Sequence, residues 1–173
     1  MKFLIFIPPN EFKDETLSTT KTFFDKWGIG YDITSYSTKA CTGMHGAVQK
    51  LSINTNKVDP YQYDGILLVD GNGVESYKLQ EFRPLLDILL KLNNANKYIA
   101  AVGNAQKIIA RANVIKGKKI ATPQDTETKR TVQVFHGTLS EKSMEIDGNI
   151  ITIRDSGALE ESMNIILEHL GVR

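Results

Sequence analysis

Three uninterrupted apolar runs constrain this chain more than any other feature: Phe3-Leu4-Ile5-Phe6-Ile7, Ile66-Leu67-Leu68-Val69 and Tyr98-Ile99-Ala100-Ala101-Val102. A strand with one wet face alternates apolar and polar residues. A short continuous run instead suits a strand covered on both faces, as in a parallel sheet between helices. The intervening segments carry helical spacing. Leu17, Phe24 and Trp27 follow Asp14, a candidate N-cap, and Gly28 is placed to stop that helix. Pro84 opens a second stripe of Leu85, Leu86, Leu89, Leu90 and Leu92. Leu159, Met163, Ile166, Leu167 and Leu170 form a third. Alternating strands and helices predict an α/β fold with a mainly parallel sheet. Asp147-Gly148, between Met144-Glu145-Ile146 and Ile150-Ile151-Thr152-Ile153, predicts a late β-hairpin. Residues 124–139 read two ways, polar-helical at the start and extended over Val132-Gln133-Val134-Phe135.

The chain has 173 residues and no Pro/Gly/Ser-rich linker, so a single domain over 1–173 is expected. Its 21 Lys and Arg against 20 Asp and Glu leave a net charge of +1, which offers no footprint for nucleic acid and no polybasic patch for a membrane. One cysteine excludes an intramolecular disulfide and a cysteine-based zinc cage. The first apolar run stops at Pro8-Pro9, and no stretch approaches the ~20 apolar residues of a spanning helix. A cytoplasmic protein is expected.

In open α/β sheets ligands bind beyond the carboxyl ends of the strands, so the loops after Ile7, Val69 and Val102 hold the candidate sites. Asp70-Gly71-Asn72-Gly73-Val74-Glu75-Ser76 fails as a calcium loop at Val74 and Glu75, and fails as a dinucleotide fingerprint at Ser76. It reads as a tight glycine-rich turn. Gly103-Asn104-Ala105 followed by Gln106-Lys107-Ile108-Ile109-Ala110 reads as strand, elbow and helix, the geometry that presents a nucleophile in several hydrolases. Here the elbow residue is glycine and carries no reagent. His45 and His169 have no second ligand at metal spacing, so neither a metal nor a cofactor is expected. Cys41, with only Lys39 as a nearby base and no elbow, reads as a structural cysteine.

Several segments, in order, resemble the ThiJ/PfpI superfamily, which includes the parkinsonism-associated deglycase and the PfpI-type intracellular proteases. Lys13-Asp14-Glu15-Thr16 resembles its acidic motif after the first strand. Tyr63-Asp64-Gly65-Ile66-Leu67-Leu68-Val69 with Gly71 resembles its strand leading to a Pro-Gly-Gly turn. Ile99-Ala100-Ala101-Val102 resembles the strand entering its elbow, and Lys116-Gly117-Lys118-Lys119 the turn after the elbow helix. Asp147-Gly148-Asn149-Ile150-Ile151-Thr152-Ile153-Arg154 resembles its late hairpin. The resemblance implies a flavodoxin-like α/β/α sandwich of the kind shared with class I glutamine amidotransferases, and a homodimer.

Carried over by position, the resemblance puts the family's acidic residue on Glu15, its histidine on His136 and its catalytic cysteine on Gly103, beside Asn104. The Pro-Gly-Gly turn becomes Asp70-Gly71-Asn72, and a glutamate lent to a neighbouring subunit falls near Glu75. Without a thiolate, covalent chemistry has no starting point. The resemblance therefore implies a non-catalytic member with a residual pocket for a small anion or carboxylate, its backbone donors near Asn72 and Asn104. The alternative is a noncovalent enzyme in which Glu15 and His136 act as acid and base on a small carbonyl compound. A thiol placed at position 103 is expected to ionise readily beside the helix start.

Overall fold

The computed structural model describes all 173 residues. In chain order it contains β1 (Lys2–Ile7), β2 (Asn10–Phe12), α1 (Asp14–Lys26), β3 (Gly30–Ser35), β4 (Cys41–Gly43), β5 (Val48–Gln49), β6 (Gly65–Leu68) and α2 (Gly73–Ser76). There follow α3 (Arg83–Asn94), β7 (Tyr98–Val102), α4 (Gln106–Arg111), β8 (Lys119–Ala121), α5 (Thr126–Val134), β9 (Thr138–Ser140), β10 (Met144–Asp147), β11 (Ile150–Ile153) and α6 (Leu159–His169).

The central sheet has six strands in the order β10-β11-β7-β6-β1-β3. All its pairings are parallel except β10 with β11, the hairpin predicted around Gly148. The reason for the continuous apolar runs is visible in the two cores. Leu4, Phe6, Ile66, Leu68, Ile99 and Ala101 pack on one face with Leu85, Leu89 and Leu92 of α3 and Ile108 and Ile109 of α4. Phe3, Ile5, Ile7, Leu67, Val69, Ala100 and Val102 pack on the other with Leu17 and Phe24 of α1 and Met163, Ile166 and Leu167 of α6. Successive side chains on a strand point to opposite faces, so only an unbroken run feeds both cores. Each such Val, Leu, Ile, Phe or Met side chain contributes roughly 1.5–3 kcal/mol when fully buried. The fold is a flavodoxin-like α/β/α sandwich, and no helix is long and apolar enough to cross a membrane.

Two local expectations are corrected. Asp14 does not cap α1; Lys13 holds the N-cap position and its side chain forms no cap. The Asp14 carboxylate instead accepts hydrogen bonds from the His45 and Ala47 N–H groups, at 2.9 and 3.0 Å, tying the β4–β5 turn to the helix. Burial pushes its pKa up, but these N–H groups more than offset that and hold it below the usual value. The extended reading of Val132-Gln133-Val134 also gives way, because all three lie in α5. Val132 is fully buried in the first core while Gln133 and Val134 are exposed, a helical split that four residues of sequence could not separate from a strand.

Candidate functional site

The carboxyl ends of β1, β6, β7 and β11 lie side by side, and the segments beyond them border an open hollow of roughly 190 Å³. The loop after β6 supplies Asp70, Gly71 and Asn72, and the elbow after β7 supplies Gly103 and Asn104. Arg154 and Asp155 follow β11, Lys13 precedes α1, and Met44 and Pro123 complete the wall.

The elbow has the expected form. Val102 ends the strand in extended backbone, Gly103 turns at φ +53°, and residues 103–105 make one tight 3-10 turn before α4. Left-handed backbone favours glycine at 103. Asn104 locks the elbow to the neighbouring loop: its amide N–H donates to the Gly71 carbonyl at 2.8 Å, and its carbonyl accepts from the Gly71 N–H at 3.1 Å. Gly71 has φ +142° and lies so close to β2 that a β-carbon there would strike the Glu11 carbonyl and Phe12 backbone. The pairing with Asn104 occupies the Gly71 N–H.

The space above Gly103 belongs to Asp70. A β-carbon built on Gly103 falls 2.7 Å from Asp70 Oδ2 and 3.2 Å from Asp70 Cβ. Asp70 is 7% exposed. Thr16, on the first turn of α1, donates its hydroxyl hydrogen to Asp70 Oδ1 at 2.6 Å. Burial pushes the Asp70 pKa up; hydrogen bonds from Thr16 and its own backbone N–H and the charge of Lys13 pull it back, while Asp155 adds repulsion, and it settles at about 6.

The model of the DJ-1/PfpI family matches residues 1–169. The chain belongs to the DJ-1/PfpI family. An uncharacterized protein of Methanocaldococcus jannaschii is 28% identical over 153 residues, covering 88% of this chain and 74% of that protein. The protein named deglycase PfpI from Pyrococcus furiosus is 25% identical over 159 residues, covering 90% of this chain and 92% of that protein. Among solved structures, a ThiJ/PfpI domain protein from Brachyspira murdochii superposes with a TM-score of 0.91 at 17% identity, covering 99% of this chain and 97% of that one. Drosophila melanogaster DJ-1beta gives 0.85 at 20% identity, covering 99% and 91%.

Of the residues the family resemblance singled out, Gly71, Asn72, Gly103 and Asn104 line the hollow. The other three lie elsewhere. Glu15 is exposed on α1 and is not among the lining residues; a one-residue step along the helix puts buried Thr16 toward Asp70 instead. His136 is exposed at φ +66° in the turn between α5 and β9, where its carbonyl accepts from the Gly117 N–H just before β8. The Lys119 N–H that opens β8 bonds Asp147 at the hairpin, whereas Pro123, beyond the end of β8, lines the hollow. His136 is therefore at the opposite end of the strands. Glu75, on α2, pairs with the buried ammonium of Lys107 on α4, and Glu127 approaches the same ammonium at 3.7 Å. It serves an ion pair within its own chain.

Cys41 is fully buried in β4, and burial pushes its thiol pKa up. It does not line the hollow. Lys13, Asp70, Arg154 and Asp155 are the charged residues that do; the first three stand in motifs quoted above, but none of the four was expected as a site residue. The signal for Arg154 and Asp155 was present: they follow a buried parallel strand, where the rule of carboxyl ends places ligands. Asp70 was hidden inside an ordinary-looking turn.

Proposed function

We propose that this protein is a ligand-binding member of the DJ-1/PfpI family that holds a small carboxylate or oxyanion in the hollow over Gly103 and performs no thiol chemistry. The observation that carries the reading is the make-up of the hollow, which has two cations, Lys13 and Arg154, alongside the carboxylates of Asp70 and Asp155, and no cysteine. A guanidinium and an ammonium at one cleft favour a carboxylate, the first by planar paired hydrogen bonds and the second as a point charge. The volume suits a molecule well below drug size. Deglycase is the name of the Pyrococcus furiosus relative. Carrying that activity to this chain would require a nucleophile the hollow does not hold. The noncovalent scheme built on Glu15 and His136 loses its support, because one is on the outer face of α1 and the other at the far end of the sheet.

Titration of the labelled protein with acetate at pH 7.5 should shift the backbone amide signals of Gly71, Asn72 and Asn104, and Arg154→Gln should weaken that binding by about tenfold. Deglycase, glyoxalase and peptidase assays should read background with wild type and Cys41→Ser alike. Turnover above background that is lost in Cys41→Ser, or acetate shifts confined to other faces, would defeat the reading.

We also propose that the chain forms a homodimer. Light scattering is expected to give twice the chain mass of 19.3 kDa at micromolar concentration. A monomer mass across that range would remove the homodimer.

A further inference from the structure

A carboxylate removed from water is stable as an anion only when cations or hydrogen-bond donors replace its hydration, and an isolated one is costly. Asp70 has the Thr16 hydroxyl and its own backbone N–H as donors but no cation in contact. Thr16 serves Oδ1 at 2.6 Å, while no other residue donates to Oδ2 and no Lys or Arg closes an ion pair on the group. Lys13 lies near enough to moderate the charge without touching it. Oδ2 is the atom that stands over Gly103, and in a residue only 7% exposed it is the oxygen that opens onto the hollow. Its second neighbour is another acid, Asp155, whose own oxygens are used by Arg154 at 3.4 Å and by the Ala158 N–H at 3.1 Å.

The hollow thus carries a carboxylate that no cation contacts together with two cations, Lys13 and Arg154, of which Arg154 also holds Asp155 at 3.4 Å. We infer that the hollow recognises a small amino carboxylate as a zwitterion, its ammonium group on Asp70 Oδ2 and its carboxylate on Lys13 and Arg154. The inference rests on the carboxylate-binding reading above and adds the second half of the ligand. A metal ion is a poorer occupant. No group of three His, Cys, Asp or Glu side chains is gathered to hold one, and Lys13 and Arg154 would repel a dication. A plain carboxylate is poorer too, because its charge would face that of Asp70 with nothing between them. An ammonium group supplies up to three donors and the missing charge in one small group.

The test compares three probes that share the minimal pieces: glycine, acetate and methylamine, titrated into the isotope-labelled full chain at pH 7.5. Glycine should bind about tenfold more tightly than acetate, the usual worth of one added charge-assisted hydrogen bond. Methylamine should bind more weakly than glycine. In Asp70→Asn the advantage of glycine over acetate should vanish, with acetate binding no more weakly than before. The wild-type ratio decides the matter even if the variant folds poorly. Acetate binding with no gain for glycine would overturn the ammonium site and leave the carboxylate reading intact. Failure of both acetate and glycine would remove both, as would methylamine matching glycine. Retention of the tenfold preference in folded Asp70→Asn would also overturn the assignment of Oδ2.

Discussion

Asp70→Asn is expected to stabilise the protein at pH 7.5 by on the order of 3 kcal/mol and to have little effect near pH 3.5. Burial is the main cause, and the Thr16 hydrogen bond and Lys13 offset only part of it, leaving the folded carboxyl with a pKa of about 6. An unfolded aspartate titrates near ~3.9. Between these values the folded chain keeps a proton that the unfolded chain has released. The native state then binds more protons, so stability falls as pH rises from about 4 to about 6 and is flat above that. Below about 4 both states are protonated and the cost is absent. Asparagine keeps the shape of the side chain and can still accept the Thr16 hydroxyl hydrogen, without a charge to desolvate. Urea unfolding of both proteins across pH 3.5–8 checks the prediction. A stability difference that does not change with pH would mean that the Asp70 charge is already compensated in the folded protein.

Gly103→Cys should destabilise the protein by on the order of 2–4 kcal/mol and should give a sluggish thiol rather than a reactive one. Two costs combine. Residue 103 sits at φ +53°, and its new β-carbon would lie 2.7 Å from Asp70 Oδ2. The elbow alone suggests an ionised thiolate, and the position of Asp70 argues the opposite. A carboxylate directly beside the sulfur disfavours a second negative charge, and α4 is only six residues long. In a Cys41→Ser background, iodoacetamide labelling against pH should therefore report a pKa at or above the ordinary value of about 8.5. Adding Asp70→Gly removes both the collision and the charge, so it should lower that pKa and recover part of the lost stability. The two substitutions should be strongly non-additive, as expected of groups competing for one space. An apparent pKa well below 8.5 with Asp70 in place would show that Asp70 does not stand over the elbow.

Much of the fold was legible because burial on both faces leaves a mark on composition. Phe3 to Ile7 could not alternate and still feed two cores, so the run itself signals a covered strand. Gly148 at φ +61° and Gly28 at φ +70° stand where the hairpin and the end of α1 were expected. Shorter signals failed where they depended on a neighbour. Asp14 has every property of an N-cap, yet the β4–β5 turn offers its carboxylate two N–H donors. Residues 132–135 match a strand as well as a helix until Val132 is seen buried beside exposed Gln133 and Val134.

The site divides along the same line. Local sequence determined the elbow, because a buried strand, a glycine able to turn at positive φ and a helix-forming segment are consecutive in the chain. It also determined that this elbow carries no thiol. Only the tertiary structure decided what stands there instead. Asp70 and Gly103 are 33 residues apart and meet because β6 and β7 are parallel neighbours in register, ending side by side. Thr16 rather than Glu15 reaches that carboxylate because of how α1 is rotated against the sheet, and His136 is distant because the turn before β9 lies at the other end of the strands. Spacing along a chain fixes which way a strand or helix faces within itself. Which charged groups share one hollow depends on the order and register of strands, and those are set by packing between segments far apart in sequence.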